Sequence, residues 1–419
     1  MDYLTSNGRR RVVITGMGVV APNGIGIEDF WDSLVCGRSG VRKITHFDTS
    51  LYPSQIAAEV ADFDPTDYMD QKTAKRLARF AQFALASAEM AVKDSKIDLS
   101  KEDPYRIGVN IGTAMGGEDA NEIQHTIFLE KGLKRISPFT VFTCAINSAS
   151  GIISYRFNLR GSNTTTATGC TSGLDAAFHA FNAIRLNDAD IMLVGAGEAT
   201  ITPYIYGAFC VSGFLSRENR QPEKALKPFD LKADGTVLGE GGAVLVMEEL
   251  QHALKRGAKI YGELLSYSSL NEVYDFVEVD SDNGTIALNL KLALEKACIH
   301  IQDVGYINAH GNGVLPYDIG ETQAIKKVFG ELAYNIPVTS IKPITGQSFS
   351  TTGILQIIVS LLVMEHSIIP PTTNLENPAP DCDLNYVQNY FLRKEVHATI
   401  TNAHGFFGRV TTLILGKFL

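Results

Sequence analysis

Apolar runs that end in glycine recur along the chain, separated by segments in which apolar residues have helical spacing. These runs lie at Arg11 to Gly18, Arg106 to Gly117, Ala189 to Ala199, Val304 to Gly313 and Ala398 to Gly405. Continuous apolar runs of this length, bounded by glycine, are typical of strands that are buried on both faces. Their alternation with helical segments predicts an α/β fold, with mostly parallel central sheets layered between helices.

The second half of the chain repeats the pattern of the first. The segment from Val338 to Gly353 is a strand, a glycine turn and a helix, in the same order as the segment around Cys170. We therefore predict an internal duplication, with two similar halves at residues 1–256 and 257–419. The boundary follows a predicted helix at Leu250 to Arg256, for which Gly257 is the expected C-cap.

The stretch from Thr164 to His179 places a cysteine between a strand and a helix. β-branched residues precede Cys170, Gly169 supplies a tight turn, and good helix formers run from Ala176 to Leu186. The N-terminus of a helix favours thiolate over thiol, so this position predicts a lowered pKa and a nucleophilic role for Cys170. The alternative is a buried structural cysteine.

Further polar residues directly follow predicted strands. They are His310, Lys342, Gln347 and His404. Because chemistry in parallel sheets gathers at the carboxyl ends of the strands, we expect these residues and Cys170 to form one site. A thiolate with histidines nearby is suited to covalent thioester chemistry, in which the cysteine accepts and holds an acyl group. A structural histidine and a salt-bridged lysine are the alternatives.

Composition excludes several classes of function. The chain has 419 residues, a formal net charge of −9 and 45% apolar residues, which is ordinary for a protein with a large core. The negative charge argues against nucleic acid or an anionic membrane as the main partner. The six cysteines have no CxxC spacing, so we expect neither a disulfide framework nor a metal site.

Membrane insertion and export are also not indicated. The start of the chain, Met1 to Arg11, is polar and lacks an apolar signal region. The longest apolar run, Gly353 to Met364, is too short to span a bilayer and is predicted to form a buried helix. We therefore expect a cytoplasmic protein.

A glycine motif near the start resembles a dinucleotide-binding fingerprint. Gly16-Met-Gly18-Val-Val-Ala21 has the required spacing, but Pro22-Asn-Gly24 follows where that motif needs a continuing helix. We do not expect a nucleotide site here.

Four basic residues mark the predicted helix from Asp70 to Asp94. They are Lys72, Lys75, Arg76 and Arg79, at positions i, i+3, i+4 and i+7. This spacing would place all four on one helical face. Such a face is either solvated or a docking surface for an acidic partner.

A set of longer motifs identifies a family resemblance over nearly the whole chain. They are VVITGMGVVAPNG at 12–24, RISPFTVFTCAINSASGIISYRFNLRG at 135–161, TATGCTSG at 166–173, KPFDLKADGTVLGEGGAVLVMEELQHALKRGAKIYGEL at 227–264, NAHGNG at 308–313 and SIKPITGQ at 340–347. In this order they resemble the β-ketoacyl-[acyl-carrier-protein] synthases, close to type II: the elongating ketosynthases of fatty-acid and type II polyketide assembly. The resemblance implies the thiolase fold and a dimer.

The resemblance also implies roles for individual residues. Cys170 would be the acyl-accepting nucleophile, His310 the first catalytic histidine, and Lys342 the lysine of the active-site network, supported by Asp318 and Glu321. The implied reaction is decarboxylative Claisen condensation, with both substrates carried on the phosphopantetheine of an acyl carrier protein and no further cofactor. The carrier would dock on the four basic residues. The dimer could be a homodimer or a heterodimer with a ketosynthase-like partner.

The chain departs from the family pattern at the site itself. Gln347 stands at the second histidine, Gln356 at a carboxylate that usually faces the lysine, and Asn312 and Val314 at two threonines. His404 replaces the phenylalanine that usually gates the acyl pocket, while Phe406 follows in the same loop. Glutamine donates a hydrogen bond but carries no charge, so the pattern suggests a specialised pathway. The site would either condense more slowly than its relatives or use His404 to compensate.

Several rivals to an elongating enzyme stay open. The first is a non-elongating relative: a chain-length-factor-like partner, a malonyl decarboxylase or an acyl transferase. Retention of Cys170 argues against a chain-length factor, whereas loss of the second histidine favours altered chemistry. A degradative thiolase is disfavoured because residues 402–408 contain no second cysteine. A non-catalytic scaffold is the alternative outside enzymes.

Overall fold

The computed structural model describes residues 4–5, 8–280 and 283–418. The strands are β1 (Val12–Ala21), β2 (Gly24–Ile25), β3 (Val41–Lys43), β4 (Ile56–Ala58), β5 (Ile107–Gly112), β6 (Asn163–Thr166), β7 (Ile191–Glu198), β8 (Gly241–Glu249), β9 (Gly262–Asn271), β10 (Val304–Asn308), β11 (Val338–Thr339), β12 (Ile368–Ile369), β13 (Leu392–Arg393), β14 (Ala398–Gly405) and β15 (Arg409–Gly416). Each predicted apolar run overlaps one of these strands, and β1 extends three residues beyond its run, to Ala21.

Helices occupy most of the connections between the strands. They are α1 (Ile27–Val35), α2 (Gln71–Ala74), α3 (Arg79–Ser95), α4 (Glu118–Lys131), α5 (Thr140–Cys144), α6 (Ser148–Phe157), α7 (Ser172–Arg185), α8 (Pro203–Ser212), α9 (Leu250–Lys255), α10 (Gly284–Ala297), α11 (Leu315–Phe329), α12 (Lys342–Thr345) and α13 (Ser350–His366). Short 3₁₀ turns, including Gly169–Thr171, complete the connections.

The central sheet has the order β11-β10-β14-β15-β9-β1-β8-β7-β5-β6, with β2 paired to β1. The same pairing pattern occurs twice. In the first set, β6, β5 and β7 are parallel, and β8 and β1 continue the sheet with antiparallel pairing. In the second set, β11, β10 and β14 are parallel, and β15 and β9 continue the sheet with antiparallel pairing. Only three residues separate β14 from β15, and a parallel crossover needs a dozen or more. The predicted α/β fold is confirmed, with a mixed sheet.

The two sets of strands are joined because β1 pairs antiparallel with β9. They form one continuous sheet, and the predicted boundary at residue 256 between two domain halves stays a prediction. Side chains alternate across this sheet as its period of two requires. In β8, Leu245 and Met247 pack in the core that contains α7 and α13, whereas Val244 and Val246 pack in the core that contains α3.

Helix α13 contains the longest apolar run and lies in the interior against α7, β14 and β7. The prediction of a buried helix at Gly353 to Met364 is confirmed. Within the part of the chain that the structure describes, no helix is long and apolar enough to cross a membrane.

The predicted helix from Asp70 to Asp94 is wrong as a single element. Asp70 caps the short helix α2, and α3 begins only at Arg79, after an extended Ala78 with ψ of 155°. The break is stabilised from outside the segment, because the backbone N–H of Arg79 donates to Asp119 at 3.0 Å. The four basic residues therefore do not share one helical face.

The glycines of the dinucleotide-like motif have a packing role. Gly16 and Gly18 lie inside β1, and a Cβ atom at either position would come within 2.4 Å of the α3 backbone. Strand β1 continues to Ala21, and the next helix begins at Ile27. These glycines thus allow α3 to approach the sheet, and no phosphate-binding helix N-terminus follows them.

Candidate active site

The nucleophile turn lies between β6 and α7, as the sequence indicates. Cys170 sits in the 3₁₀ turn Gly169–Thr171, and Gly169 has φ of +67°, which a side chain would strain. The hydroxyl of Ser172 accepts the backbone N–H of Thr168 at 2.8 Å and donates to the carbonyl of Gly169 at 2.7 Å. Cys170 is therefore held directly before the helix, which starts four residues earlier than predicted.

The thiol of Cys170 is buried, with 7% of its surface exposed. Burial raises its pKa to about 12, although the charge of Lys342 and a hydrogen bond from Gln347 act in the opposite direction. The prediction of a lowered pKa at Cys170 is wrong, because desolvation of the thiolate outweighs the favourable charges. The resting group is a thiol.

His310 follows β10 and is held in one tautomer. Its Nδ1 accepts the backbone N–H of His404 at 3.2 Å and lies 3.5 Å from the Nζ of Lys342. Burial, together with the charge of Lys342, lowers the pKa of His310 well below its ordinary value. The imidazole is therefore neutral with its proton on Nε2, which makes Nε2 a hydrogen-bond donor.

Two buried carboxylates fix the loop that carries His310. Glu321 accepts the backbone N–H groups of His310 at 2.9 Å and Gly311 at 3.1 Å, and Asp318 accepts that of Asn312 at 2.9 Å. Both carboxylates lie on α11. Asp318 and Glu321 thus act on the backbone of the loop, and they position His310 without lining the pocket.

Lys342 lies behind His310, and its Nζ donates to the carbonyl oxygen of His310. Burial lowers the pKa of Lys342 to about 8, although the charges of Glu321, Cys170 and Asp318 act to raise it. Burial also raises the pKa of Asp318 to about 7. Both groups thus titrate near neutral pH, where a change of charge alters the field at Cys170 and His310.

Gln347 and His404 complete the polar wall of the site. The Nε2 of Gln347 donates to the Sγ of Cys170 at 3.5 Å. The ring of His404 stacks on that of His310 with centroids 5.2 Å apart. The Nδ1 of His404 and the Oε1 of Gln347 are buried and have no partner among the described residues. Both side chains therefore keep an unused polar atom beside the nucleophile.

These residues meet in one small pocket. Its lining includes Cys170, His310, Gln347, His404 and Phe406, and its free volume is about 30 Å³. Sequence reasoning missed other lining residues, namely Phe209, Phe214, Thr236, Leu238, Tyr317 and Phe349. Phe209 and Phe214 lie far from any residue that the sequence singled out. Tyr317 precedes Asp318, and Phe349 follows Gln347 by two residues, so these two had a local signal. No cluster able to hold a metal ion occurs among the described residues.

Comparison with known proteins decides the family. Residues 9–253 match the model "Beta-ketoacyl synthase, N-terminal domain", and residues 261–376 match "Beta-ketoacyl synthase, C-terminal domain". The chain belongs to the β-ketoacyl synthase family. It is 41% identical to the 3-oxoacyl-[acyl-carrier-protein] synthase 2 of Coxiella burnetii, over 98% of this chain and 99% of that protein.

Other relatives of this ketosynthase come from polyketide pathways. It is 39% identical to a putative polyketide β-ketoacyl synthase 1 of Streptomyces halstedii, over 97% of this chain and 98% of that protein. One solved structure shows a type II polyketide acyl carrier protein in complex with its ketosynthase bound to the hexaketide. It matches with a TM-score of 0.91 and 33% identity, over 98% of this chain and 100% of that chain. The ishigamide ketosynthase/chain length factor matches with a TM-score of 0.92, 30% identity and the same coverage. The fold is thus the thiolase-like fold of ketosynthases, a class of acyltransferases.

The side-chain amide of Gln356 in this ketosynthase hydrogen-bonds to the backbone. Its Nε2 donates to the carbonyl of Ala309 at 2.8 Å and to that of Asn402 at 3.2 Å. The side chain therefore ties the end of β10 to the middle of β14. A glutamine suits this position because its amide can donate to carbonyls, which an ionised carboxylate cannot do.

The basic residues of the ketosynthase divide into two groups. Lys72, Lys75 and Arg76 are exposed. Arg79 is partly buried and forms an ion pair with Glu240 at 2.7 Å. The placement of Arg79 on the same exposed face is therefore wrong, because a buried carboxylate far away in sequence binds its guanidinium. The three exposed residues form a basic patch, and Arg76 lies over the ring of Phe139 at 4.3 Å.

Proposed function

We propose that this ketosynthase elongates a carrier-bound acyl chain by decarboxylative Claisen condensation in a specialised polyketide or fatty-acid pathway. One observation carries the proposal: a buried cysteine thiol and a neutral histidine with its proton on Nε2 line the same pocket. The thiol can hold the acyl chain, while the histidine can donate to an oxygen that becomes negative. Condensation needs both functions at once.

The first step transfers the acyl group. The Sγ of Cys170 attacks the carrier thioester, the bond to the carrier sulfur breaks, and the carrier leaves as a thiol. The proton lost by Cys170 is the proton gained by the departing thiol, so the transfer is balanced without an external base. This fits a pKa of about 12, because a permanent thiolate is not required.

The second step uses a malonyl group on a second carrier. Its carboxylate leaves as carbon dioxide, and the electron pair forms an enolate at the thioester carbonyl. The enolate carbon attacks the acyl carbonyl, the bond to Cys170 then breaks, and the departing thiolate takes one proton from solvent to return the thiol. The Nε2–H of His310 stabilises the enolate oxygen, and fixed donors of this kind supply much of the rate in such reactions.

His404 takes over part of the role of the missing second histidine. It is 4% exposed, it stacks on His310, and its Nδ1 is unpartnered. Gln347 contributes one neutral hydrogen bond, worth roughly 0.5–1.5 kcal/mol against roughly 1.5–3 kcal/mol for a charged one. Enolate stabilisation thus rests on His310 first, on His404 second and on Gln347 third.

The substrates arrive on the phosphopantetheine of an acyl carrier protein, and no further cofactor is used. The acidic carrier docks on the basic patch of Lys72, Lys75 and Arg76, which is exposed on an otherwise acidic protein. A related ketosynthase has been solved in complex with its carrier, which supports this partner. Location in the cytoplasm fits substrates of this kind.

The ketosynthase works as a dimer, either with a second copy or with a ketosynthase-like partner. Two features support an interface at one end of the sheet. Strand β6 is an edge strand. In the segment from α4 to α5, the exposed fractions of Phe142 and Val141 are 70% and 77%. Unpaired edges and apolar patches of this kind are usually covered. The mass of the purified assembly, alone and with co-expressed candidates, decides between the two partners.

The function is tested with the full chain, acyl-carrier and malonyl-carrier. We expect an acyl adduct on Cys170, release of carbon dioxide, and a product longer by two carbons. Acylation without loss of carbon dioxide would identify an acyl transferase, and loss of carbon dioxide without elongation a decarboxylase. The absence of all three reactions would favour a scaffold.

Docking on the basic patch is tested by charge reversal. Lys75→Glu combined with Arg76→Glu is expected to raise the KM for acyl-carrier about tenfold at low salt and to weaken its salt dependence. Lys255→Glu combined with Lys291→Glu, two exposed positions on α9 and α10, is the control with the same change in net charge. Equal effects of the two double variants would exclude the patch.

A further inference from the structure

A buried carboxylate lies behind the nucleophile turn and has no role in the proposed mechanism. It belongs to Asp175, in the first turn of α7, and 1% of this residue is exposed. Its Oδ2 accepts the hydroxyl of Thr168 and, at 3.0 Å, that of Thr171. These two threonines stand on either side of Cys170 in the sequence. Asp175 therefore holds the nucleophile turn from both sides.

The same carboxylate also binds the second half of the sheet. Its Oδ1 accepts the hydroxyl of Tyr267 on β9 and, at 3.2 Å, that of Thr411 on β15. The Nη2 of Arg409, the first residue of β15, donates to Oδ2 at 3.2 Å. Asp175 thus joins the turn that carries the nucleophile to two strands of the other half.

Arg409 is the one cation that contacts Asp175 among the described residues. The other four donors to this carboxylate are neutral hydroxyls. The side chain of Asp175 is 1% exposed and that of Arg409 is 34% exposed. Because a buried carboxylate without a cation is strongly destabilising, the positions of the two side chains depend on each other. The Nε of Arg409 is buried and has no partner in the described part of the chain, so the pair rests on one hydrogen bond.

Arg409 directly follows a strained turn that lines the catalytic pocket. This turn, Phe406–Gly408, connects β14 to β15, and Phe406 contributes to the lining. Phe407 has φ of 63° and ψ of 24°, a left-handed conformation that residues other than glycine rarely adopt. Such strain persists only where the surrounding contacts enforce it. The bond from Arg409 to Asp175 supplies one of these contacts.

The strained turn and the nucleophile turn also lie against each other. A Cβ atom on Gly405, the last residue of β14, would lie 3.7 Å from the backbone nitrogen of Cys170 and 3.8 Å from the Cβ of Arg409. His404 directly precedes Gly405 in the same strand. A shift of one turn relative to the other would therefore change the separation of Cys170 and His404.

We propose that Asp175 and Arg409 are positioning residues that hold the nucleophile turn against the end of β14. In this way they set the distance between the acyl group on Cys170 and the two histidines, His310 and His404. The inference rests on the proposed function, because it assumes that Cys170 is acylated and that the histidines act on the enolate. Acyl transfer needs the thiol, whereas decarboxylation and condensation also need the histidines in place. A displacement of about 1 Å can slow such a step by about a hundredfold.

An ion pair that only stabilises the fold is the rival explanation, and the chain offers a matched control for it. The Nε of Arg256 donates to the buried carboxylate of Glu248 at 2.8 Å, and the side chain of Arg256 is 17% exposed. This pair contains no residue that lines the catalytic pocket. Its loss should lower stability without changing the balance between the two steps of the reaction.

The first test measures the two steps separately in Arg409→Met and Arg256→Met, with acyl-carrier and then malonyl-carrier. Intact-mass spectrometry follows acylation of Cys170, and release of carbon dioxide is measured on the acylated enzyme. In Arg409→Met we expect acylation within about threefold of the wild type, and a kcat for carbon dioxide release about 10- to 100-fold lower. In Arg256→Met both steps should change by the same factor.

Equal losses of both steps in Arg409→Met would overturn the inference and leave the ion pair a structural role. A wild-type protein that is never acylated, or that is acylated but releases no carbon dioxide, would overturn the proposed function instead. The unfolding midpoint in urea is measured for every variant, so that a loss of folded protein is not counted as a loss of rate.

The second test asks whether the two side chains act as a pair. Because Arg409 uses one hydrogen bond, Arg409→Lys should restore carbon dioxide release to within about fivefold of the wild type. The double variant Asp175→Asn, Arg409→Met removes the buried charge together with its cation, so it keeps the test open where Arg409→Met alone does not fold. Its selective loss of carbon dioxide release should be no larger than that of Arg409→Met, because coupled residues are not additive. A lysine variant as slow as Arg409→Met, or additive losses in the double variant, would overturn the inference.

Discussion

The two halves of the sheet place different chemistry at equivalent strand ends. Strands β5, β6 and β7 of the first half lead to Met115, Cys170 and Glu198, whereas β10, β11 and β14 of the second half lead to His310, Lys342 and His404. In the proposed mechanism, the first half thus contributes one reacting group, the thiol of Cys170. In the same mechanism, the second half contributes the groups that stabilise the enolate and set the electrostatic field at Cys170.

The difference traces to the position of one carboxylate in each half. In the first half, Glu198 at the end of β7 accepts the backbone N–H of Ala114 at 2.8 Å and so fixes the loop after β5. In the second half, Glu321 fixes the corresponding loop from helix α11. Moving the carboxylate to a helix leaves the end of β14 free for His404.

Removal of the nucleophile should have the largest effect. Cys170→Ala is expected to lower elongation by about 10⁴-fold or more, because no other group can hold the acyl chain. Mass spectrometry of tryptic peptides after incubation with acyl-carrier checks the prediction. Cys210 and Cys382 are also buried and serve as internal controls. An acyl adduct that persists on either cysteine in the variant would contradict it.

The histidines of the second half come next. His310→Ala is expected to lower malonyl decarboxylation by about 10²- to 10³-fold while acylation of Cys170 is largely retained, because its Nε2 acts on the enolate. His404→Phe should lower decarboxylation by about tenfold if the ring donates a single hydrogen bond. Release of carbon dioxide and Cys170 acylation are measured separately.

A third variant, Gln347→His, restores the residue that ketosynthases usually have there. If it rescues decarboxylation in His404→Phe but adds little to the wild type, then His404 has replaced the second histidine. A loss of Cys170 acylation in His310→Ala would show that the two halves do not divide the work in this way.

Replacing the two carboxylates that bind the loop backbones, Glu198 and Glu321, should have a smaller effect. Glu198→Gln and Glu321→Gln should each lower the free energy of unfolding by about 1–3 kcal/mol, because an amide cannot accept all the N–H groups of the loop. Only Glu321→Gln should also slow decarboxylation, since only its loop carries a reacting group. Urea unfolding and carbon dioxide release are the measurements. Equal losses of activity would remove the distinction between the halves.

The smallest effect is a pH slope in stability. Lys342 has a pKa of about 8 in the folded protein against 10.5 for an unperturbed lysine, so the unfolded state binds more protons between these values. Stability should therefore rise with pH in this window, by at most about 1.4 kcal/mol per pH unit. Lys342→Met should flatten the rise, whereas Lys255→Met, at an exposed position, should not. Parallel curves for both variants would contradict the burial effect at Lys342.

The sequence predicted local features well and non-local ones poorly. The turn at Gly169, the apolar strands and the buried helix α13 depend on neighbouring residues, and all were predicted. The break before Arg79 depends on Asp119, and the loss of Arg79 from the basic patch depends on Glu240. The pKa of Cys170 depends on how many apolar groups surround it. None of these partners is near in sequence, so local spacing could not identify them.

The pairing of β1 with both β8 and β9 has a consequence for how the chain is made. Strand β1 ends at Ala21. Apart from the two-residue β2, which pairs only with Val20 and Ala21, its partners begin at Gly241 and Gly262. During synthesis most of this apolar strand therefore stays without a sheet partner until more than half of the chain has been made. Contacts between residues this distant in sequence form slowly, and apolar surface stays exposed until they form. We expect slow refolding of the isolated protein, and strong dependence on a chaperone for folding of the nascent chain in the cell.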